Sequence, residues 1–412
     1  MNSTAPAVLL DLSRLLARAG RLPTGVDRVE LAYLRHFLGL DVPVFALART
    51  AYGYVLLDRA GMQAMWARFS GTVAFGAVDI LSRLRPGLGP AGQAAQSECR
   101  RFALARALPH GLGRMLAKHL PQGCHYFNTG HSNLSHRVLR ALKLHVGARV
   151  VVMVHDTIPL DFPQFQRPGT PQAFAAMLAR VRQIADVILC NSHQTKADIA
   201  RHTPPGTALP RCVVAPLGID VPRPAPSWPK PPALAPDRPY FMAIGTIEPR
   251  KNHEFLLRIW AEMAQQGGPL PALLICGARG WNNAQVFAQL DGHPMMGQHV
   301  FELNCLADAQ MAAALQGAAA LLHPSHAEGY GLPPIEAAAL GVPVVCPPLP
   351  IYREILGQIP VYAEPQSIYS WIETIRALAG SGAKDGAQGQ PCPPFSPATW
   401  QAHFNVSLNT MA

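Results

Sequence analysis

The sequence contains few of the features that mark a secreted or membrane-embedded protein. Its eight cysteines are scattered and form no C-x-x-C pair, which favours reduced, buried thiols over a disulfide framework. No apolar run is long enough to span a membrane. The stretch MNSTAPAVLLDLSRLLARAG lacks the charged region that precedes the apolar core of a signal peptide. We therefore predict a cytoplasmic protein, with peripheral attachment to the inner face of the plasma membrane left open.

Acidic residues are scarce as well. The 412 residues include 25 Asp and Glu against 35 Lys and Arg, which gives a formal net charge of +10. Such an excess allows three kinds of partner: nucleic acid, an anionic membrane surface or a phosphorylated substrate. Apolar residues make up 49% of the chain, which excludes a disordered protein, and the length predicts two domains.

Short apolar runs without polar alternation recur along the chain, each followed by a turn and a helical pattern. Such runs are typical of strands buried on both faces of a parallel sheet. A proline-dense stretch over residues 221–239 separates two arrays of this kind and reads as an extended linker. The pattern predicts an α/β chain with two doubly wound domains facing across a cleft. Their predicted ranges are 1–220 and 240–395, with residues 396–412 packing back on the first domain.

A basic segment over residues 97–120 interrupts the first array. It has the pattern of an amphipathic helix, and five of its side chains are expected to be exposed: Arg100, Arg101, Arg106, Arg114 and Lys118. Such a face is suited to an anionic lipid surface. A solvated basic surface explains the same residues equally well, so the sequence leaves both interpretations open.

The stretch HAEGYGLPPIEAAALGVPVV places Glu328 and Glu336 around two glycines and a Pro-Pro pair. A short helix is expected over residues 333–340, since proline suits the first turn of a helix. Glycines before a helix N-terminus let backbone N–H groups approach an anionic ligand, which predicts a diphosphate cradle. Carboxylates repel phosphate, so the glutamates are better suited to accept hydrogen bonds from the hydroxyls of a nucleotide sugar. Complementing the helix dipole would explain Glu336 alone.

The stretch GTIEPRKNHEFLL supplies the countercharge that a diphosphate needs. Arg250 and Lys251 follow the predicted strand YFMAIG, and the next helix is expected to open at Asn252 or His253. Loops at the carboxyl ends of parallel strands line the ligand crevice of such a sheet. An arginine beside a lysine can hold a diphosphate and stabilise the charge that grows on it as a leaving group.

At these residues the sequence resembles the retaining glycosyltransferases of family 4, which have the GT-B fold. GTIEPRKN is similar to the G-x-x-x-x-R-K-N loop of that family, and HPSHAEGYGLPPIEAAALGVPVV is similar to its E-x7-E signature. The similarity is strongest over residues 240–345. Upstream it persists in VVMVHDTIPL, LCNSHQTKADI and VVAPLGID.

The resemblance implies roles for residues of the second domain. Arg250 and Lys251 would contact the donor diphosphate, Glu328 the hydroxyls of the donor sugar and Glu336 the ribose. Leu303 and Asn304 lie where family members hold the base. The cradle would be completed by backbone N–H groups of four consecutive residues: Gly329, Tyr330, Gly331 and Leu332.

The resemblance also implies features of the first domain and of the reaction. His155 matches the family histidine near the reacting sugar, and Gly25 matches the glycine of the first strand–helix turn. Thr24 stands in place of the usual second glycine of that turn, which departs from the family pattern. Family members transfer a sugar with retention of configuration and without a divalent metal. No cofactor is therefore expected, and the nucleotide sugar is a substrate.

The acceptor side is less strongly marked. Asn128 and His131 follow the predicted strand HYFN at a strand end that faces the cleft, so they are candidates for binding acceptor hydroxyls, and Asp156 is another. For His131 we favour a turn histidine bonded to the backbone over a role in acceptor binding. For Asp27 we favour capping of the first helix over a role in the cleft.

Three other functions are consistent with parts of the sequence. Nucleotide-sugar 2-epimerases share the fold but lack the pairing of PRKN with E-x7-E. A glycoside hydrolase needs two carboxyl groups facing one bond, whereas these glutamates lie in a loop and a helix. A basic nucleic-acid-binding protein fits the charge but lacks a groove-reading motif. The preferred prediction is transfer of a sugar, with mannose from GDP-mannose as one candidate, to a glycan or lipid-linked precursor of a bacterial polysaccharide or lipopolysaccharide.

Overall fold

A computed structural model of the chain describes residues 6–85, 87–304, 306–365, 367–380 and 394–409. It contains two compact units. Among the described residues, the first unit comprises those up to His155, then Ala173–Leu217, and those from His403 onward. The second unit comprises Asp156–Gln172 and Gly218–Ala402. Two segments therefore differ from the predicted ranges: Asp156–Gln172 lies with the second unit, and the C-terminal segment joins the first unit only from His403.

Strands and helices alternate through most of the chain. The strands are β1 Val8–Asp11, β2 Val44–Thr50, β3 Gly53–Leu57, β4 Ala105–Ala107, β5 His125–Asn128, β6 Arg149–Val154, β7 Val187–Cys190, β8 Arg211–Val214, β9 Tyr240–Ile244, β10 Ala272–Cys276, β11 Val300–Leu303, β12 Ala320–Leu322, β13 Val344–Cys346 and β14 Val361–Tyr362. The α-helices are α1 Ser13–Arg18, α2 Gly25–Leu38, α3 Arg59–Phe69, α4 Ile80–Arg83, α5 Pro90–Arg101, α6 Leu112–His119, α7 His136–Val146, α8 Ile158–Asp161, α9 Thr170–Ile184, α10 His193–Arg201, α11 His253–Gln266, α12 Ala284–Gly292, α13 Asp308–Gln316, α14 Leu332–Ala339, α15 Pro350–Leu356, α16 Ile368–Gly380 and α17 Trp400–Leu408. Short 3-10 helices cover Pro109–Gly111, Pro163–Phe165 and Pro249–Lys251.

The first unit is built on an eight-stranded sheet with the order β4-β3-β2-β1-β5-β6-β7-β8. Six neighbouring strands pair in parallel, as the apolar runs predict: β2, β1, β5, β6, β7 and β8. The two strands at the β4 end pair antiparallel, β3 to β2 and β4 to β3, and the sequence patterns did not indicate them. The order reverses between β1 and β5, so the loops after these two strands lie side by side.

The second unit is built on a six-stranded, wholly parallel sheet with the order β11-β10-β9-β12-β13-β14. Counted from β9, this is the 3-2-1-4-5-6 order of the doubly wound nucleotide-binding fold. Its core packs β9 and β10 against α11 and α16, with Trp260 edge-on to Phe241 and Trp371 edge-on to Phe255. Two doubly wound units of this kind confirm the predicted fold class.

Residues 218–239 contain neither helix nor strand. This agrees with the prediction from proline density, because proline lacks the N–H donor that both structures use. No described helix combines the length and the apolar character that crossing a membrane requires.

The predicted amphipathic helix over residues 97–120 is wrong. The chain there forms the end of α5, the strand β4, a 3-10 turn and α6. Arg100, which we expected at the surface, is only 7% exposed and bonds both carboxylate oxygens of Asp79. The spacing of the arginines matched a helix surface, but Arg100 pairs with half-buried Asp79 and Arg101 pairs with buried Glu98. Carboxylates in such positions need cationic partners.

Candidate active site

The reversal of strand order in the second unit lies between β9 and β12. In doubly wound sheets, ligands bind beyond the carboxyl ends of the strands at this point, because the chains leave it in opposite directions and open a crevice. The loop after β9 carries Arg250 and Lys251, and the loop after β12 carries Glu328 and Gly329. The topology therefore brings together the two motifs that the sequence singled out.

The basic loop after β9 is shaped by two residues with positive φ. Gly245 has φ +136°, and the Cε atom of Lys251 lies 3.2 Å from where a Cβ on Gly245 would be. The lysine side chain thus folds back over the glycine. Asn252 has φ +57°, and α11 begins at the next residue, His253, as predicted.

Glu328 is the centre of the cluster. Its Oε1 atom accepts a hydrogen bond from Nζ of Lys251 at 2.6 Å and lies 3.1 Å from a guanidinium nitrogen of Arg250. The Nε2 atom of His323 lies 3.1 Å from the same oxygen. All of these side chains are largely buried, and the side chain of Glu328 is 7% exposed. Buried charges of this kind persist only when they are paired.

The surroundings determine the charge on each group. Burial alone would raise the pKa of Glu328, but Arg250 and Lys251 outweigh it and hold that pKa well below its usual range. Burial lowers the pKa of Lys251, and Glu328 opposes part of this shift. Burial and the neighbouring Lys251 lower the pKa of His323 to about 4. The cluster therefore holds Glu328 as a carboxylate between Arg250 and Lys251, with a neutral His323 imidazole beside it at neutral pH.

The loop after β12 ends at α14, which spans Leu332–Ala339 and so begins and ends one residue earlier than predicted. Gly331 precedes the helix with φ +84°, and a Cβ there would lie 2.5 Å from Cε1 of Tyr352. Glycine is required at this position by both its conformation and its surroundings. Glu336 is half-buried within α14.

The residues proposed for the base lie at the same edge of the sheet. Leu303 is the last residue of β11, and Asn304 follows it and is exposed. One strand, β10, separates β11 from β9. With strands about 4.8 Å apart, this places Leu303 roughly 10 Å from the end of β9, a distance that a nucleotide spans.

The candidates in the first unit lie mainly at its own reversal point. Gly25 opens α2, and Thr24 precedes it in an extended conformation. The backbone N–H of Thr24 donates to Oδ2 of Asp27 at 2.7 Å, which confirms the capping role favoured for Asp27. Arg14 and Arg18 pair with the same carboxylate. The proposed part of Gly25 in diphosphate binding stays a prediction.

Asn128 ends β5, and His131 and His155 follow β5 and β6. The amide of Asn128 donates to the carbonyl of Ser132 at 2.7 Å. His131 has φ +57° and bonds the carbonyl of Met153 at 2.9 Å, which fits a turn histidine bonded to the backbone. His155 bonds the carbonyl of Thr129 at 2.6 Å. Burial lowers the pKa of His131 to about 3 and that of His155 to about 4, so both are neutral at pH 7.

Three residues of the site were missed at the sequence level. His323 contacts Glu328, Glu248 pairs with Arg250 at 2.6 Å, and Tyr352 packs against Gly331. His323 immediately follows β12, and a polar residue directly after a buried strand was a signal that would have found it. Glu248 and Tyr352 carry no comparable signal, because their partners are set by packing alone.

No metal site accompanies this cluster within the part of the chain that the structure describes. No three His, Cys, Asp or Glu side chains there are arranged to hold a metal ion. Positive charge at the site comes instead from Arg250 and Lys251.

Comparisons with known families match most of the chain. Residues 225–380 match the family described as Glycosyl transferases group 1, and residues 85–223 match Glycosyltransferase Family 4. The first range contains the whole cluster around Glu328, and the second contains Asn128, His131 and His155.

Among curated proteins, the chain is 31% identical over 221 residues to the serotype-specific mannosyltransferase WbdA of Escherichia coli. The match covers 51% of this chain and 27% of WbdA, so the chain spans about a quarter of that relative. It is also 32% identical to O-antigen chain mannosyltransferase B of Escherichia coli over 129 residues, which are 31% of this chain and 34% of that one.

Among solved structures, the chain resembles HepE of Anabaena, crystallised in complex with UDP-glucose. The TM-score is 0.60 at 14% identity, and the match covers 98% of this chain and 97% of HepE. At that identity the likeness concerns the fold alone, and it extends over both units.

Proposed function

The chain belongs to the group 1 and family 4 glycosyltransferases, with the GT-B fold, and on that premise we propose that it transfers a sugar from a nucleotide-sugar donor to an acceptor hydroxyl. The acceptor would be a glycan or a lipid-linked precursor of a surface polysaccharide or lipopolysaccharide. Mannose is the proposed sugar, because WbdA and O-antigen chain mannosyltransferase B are both named as mannosyltransferases.

One observation supports the proposal most directly. Arg250 and Lys251 converge on Glu328 beside the glycine turn that opens α14. As the bond to the sugar breaks, negative charge grows on the leaving diphosphate, and two fixed cations lower the energy of that charge. The carboxylate of Glu328, held at this place by both cations, would accept a hydrogen bond from a hydroxyl of the donor sugar.

Retention of configuration and independence from divalent metal are parts of the same proposal. Arg250 and Lys251 supply two positive charges at the place where a metal ion would otherwise neutralise the diphosphate. Glu328 is a poor candidate for a nucleophile, since both cations hold its carboxylate. The leaving phosphate would itself accept the proton of the acceptor hydroxyl, on the face of the sugar from which it departs.

We place the proposed contact with a membrane on α7 and on α6, the last part of residues 97–120, rather than on that whole segment. These helices border a cavity of about 370 Å³ whose lining includes His110, Arg137 and Arg140 and no acidic side chain among its described residues. Leu144 lines it as well and is 71% exposed. Basic side chains around an exposed leucine match an anionic lipid surface.

A vesicle experiment tests that contact. The wild type is expected to float with vesicles of phosphatidylglycerol and phosphatidylcholine but not with phosphatidylcholine alone. The double variant Arg137→Glu/Arg140→Glu should lose this binding. Equal flotation of the wild type with both vesicle types would overturn the contact and leave sugar transfer unaffected.

The decisive test of sugar transfer is a panel of GDP-, UDP- and dTDP-linked sugars, in which the released nucleoside diphosphate is measured. We expect release from one donor, undiminished by EDTA, with the product anomer matching the donor by NMR. Arg250→Ala should lower kcat at least a hundredfold, as removal of a charge-stabilising group does. Arg258→Ala, on the exposed face of α11, is the matched control and should retain activity. Full activity of Arg250→Ala would contradict the proposal.

A further inference from the structure

The segment Asp156–Gln172, here called the strap, groups with the second unit although the chain before and after it belongs to the first. Two loops of the second unit hold it. The indole N–H of Trp281 donates to the carbonyl of Phe165 at 3.2 Å, and the ring of Phe165 stacks on His326 with centroids 5.2 Å apart. The amide of Asn282 donates to the carbonyl of Gln166 at 3.0 Å.

These contacts bring Asp156, the first residue of the strap, against the glycine turn, which comprises residues 329–331 before α14. The Oδ2 atom of Asp156 lies 2.6 Å from where a Cβ on Gly329 would be, so only glycine leaves room for this carboxylate. The other oxygen, Oδ1, accepts a hydrogen bond from the backbone N–H of Ile158 at 3.1 Å. The Asp156 side chain is therefore held by one backbone hydrogen bond and packs closely against Gly329.

Asp156 stands among the charges of the candidate site. Arg250 is the cation that faces it, and Glu328 and Asp161 are the anions. Burial raises the pKa of Asp156 to about 6 although Arg250 opposes the shift. At neutral pH the carboxylate is thus an anion at the same glycine that the proposed donor diphosphate would use, and it is attracted by Arg250, the cation proposed to bind that diphosphate.

We propose that Asp156 is an internal competitor of the donor diphosphate: its carboxylate lies against Gly329 in the free enzyme, where the diphosphate would bind, and must take up a proton or move away when the donor binds. This rests on the proposed function. Two anions at one glycine turn repel each other in a partly buried site, so the diphosphate favours the protonated form of Asp156. Donor affinity then falls as the pH rises through the pKa of Asp156, and donor binding takes up a proton from solution.

Calorimetry of the full chain with GDP-mannose and UDP-glucose tests this. Both are diphosphate diesters that do not titrate near neutral pH, so proton uptake is assigned to the protein. For the donor that binds, we expect the wild-type Kd to rise between pH 5.5 and 8. The heat of binding should also vary with the ionisation enthalpy of the buffer.

Asp156→Asn removes the competing charge and keeps the shape. It should bind the same donor about tenfold more tightly at pH 7.5, the effect of roughly one pKa unit of repulsion. The variant should also lose most of the proton uptake. Asp161→Asn is the matched control, since Asp161 lies on the same strap and bonds Thr157, and it should change Kd much less.

The outcomes separate the two proposals. If the wild type binds no nucleotide sugar, the proposed function itself fails. If it binds one without proton uptake, or if Asp156→Asn leaves Kd unchanged, the competition is wrong and the transferase assignment stands. Loss of turnover in Asp156→Asn at unchanged donor Kd would also overturn it, since the carboxylate would then act on the acceptor or the reacting atoms.

Discussion

The Nζ atom of Lys251 lies 2.6 Å from Oε1 of Glu328, across 77 positions of the chain. The two residues meet because β9 and β12 are neighbours in the sheet although two strands separate them in sequence. Together with Arg250, they form a buried ionic cluster that links the two loops of the candidate site. The same contact that positions the site therefore contributes to the stability of the second unit.

The variant Glu328→Gln should reveal how much this cluster contributes to the free energy of unfolding. Arg250 and Lys251 would lose their shared carboxylate, and breaking a buried pair lowers the free energy of unfolding by about 3 kcal/mol. The measurement is urea denaturation followed by tryptophan fluorescence. This signal reports mainly on the second unit, which holds five of the six tryptophans.

The pH dependence of that loss has a definite sign. The pKa of Glu328 in the folded protein lies below its unfolded value, near 4.3, so its contribution is present above that value and disappears as the pH falls through the folded pKa. The gap between wild type and Glu328→Gln should be largest at pH 7 and shrink toward pH 3.5. Glu373→Gln, at an exposed position of α16, should leave stability unchanged. A gap that grew on acidification would mean that the two cations do not hold Glu328 as a carboxylate.

Gly331→Ala should be more harmful than the same change at Gly341. Both glycines have positive φ, +84° and +73°, so both substitutions carry about 1 kcal/mol of backbone strain. Only at Gly331 does the new Cβ meet a fixed atom, 2.5 Å away on the buried ring of Tyr352, whereas nothing lies within 4 Å at Gly341. Overpacking of this kind adds about 1–3 kcal/mol.

Thermal denaturation of the two variants checks the difference, and donor binding by calorimetry gives a second readout. Gly331→Ala should have the lower Tm and weaker binding, because the turn before α14 must shift. Equal Tm values for the two variants would show that the ring of Tyr352 moves away from the new Cβ without a loss of stability.

The parts of the site that were predictable from sequence share one property. Arg250 and Glu328 each follow a buried strand within a few residues, and parallel topology brings such positions to one edge. The contact of Asp156 with Gly329 had no such signal, because it depends on how the strap packs against Trp281 and His326. Periodicity predicts which face of an element is apolar, but it does not predict which distant element covers it.

For Arg100 the local sequence pattern predicted an exposed side chain, whereas the side chain is buried. We predict that Arg100→Met lowers the free energy of unfolding by about 1–2 kcal/mol, because half-buried Asp79 loses both of its bonds from the guanidinium and Ser82 loses a third. Arg106→Met, at an exposed position of β4, should change it by less than about 0.5 kcal/mol. Urea denaturation followed by circular dichroism measures both. Similar changes in the free energy of unfolding for the two variants would mean that Arg100 lies at the solvated surface, as its spacing suggested.

The contact between Tyr33 and His403 leads to a final prediction, on the C-terminal helix α17. The Nδ1 atom of His403 lies 3.0 Å from the carbonyl of Pro216 and 3.2 Å from that of Ala215. Carbonyls only accept, so Nδ1 carries the proton, and Nε2 accepts from the hydroxyl of Tyr33 at 2.8 Å. Burial lowers the pKa of His403 to about 4, consistent with a neutral ring.

Tyr33→Phe leaves Nε2 of His403 buried without its donor and should lower the free energy of unfolding by about 1–2 kcal/mol at pH 7.5. The folded pKa of His403 lies below its unfolded value, near 6.5, so its contribution is present above pH 6.5 and is lost as the pH falls toward 4. Without the tyrosine hydroxyl, protonation of Nε2 becomes easier and this acid sensitivity weakens. Urea denaturation should therefore show a smaller gap between wild type and Tyr33→Phe at pH 5 than at pH 7.5. Tyr369→Phe, at a side chain that is 69% exposed, should match the wild type at both values. A gap that widened on acidification would mean that the hydroxyl accepts from a protonated ring, which reverses the assigned tautomer.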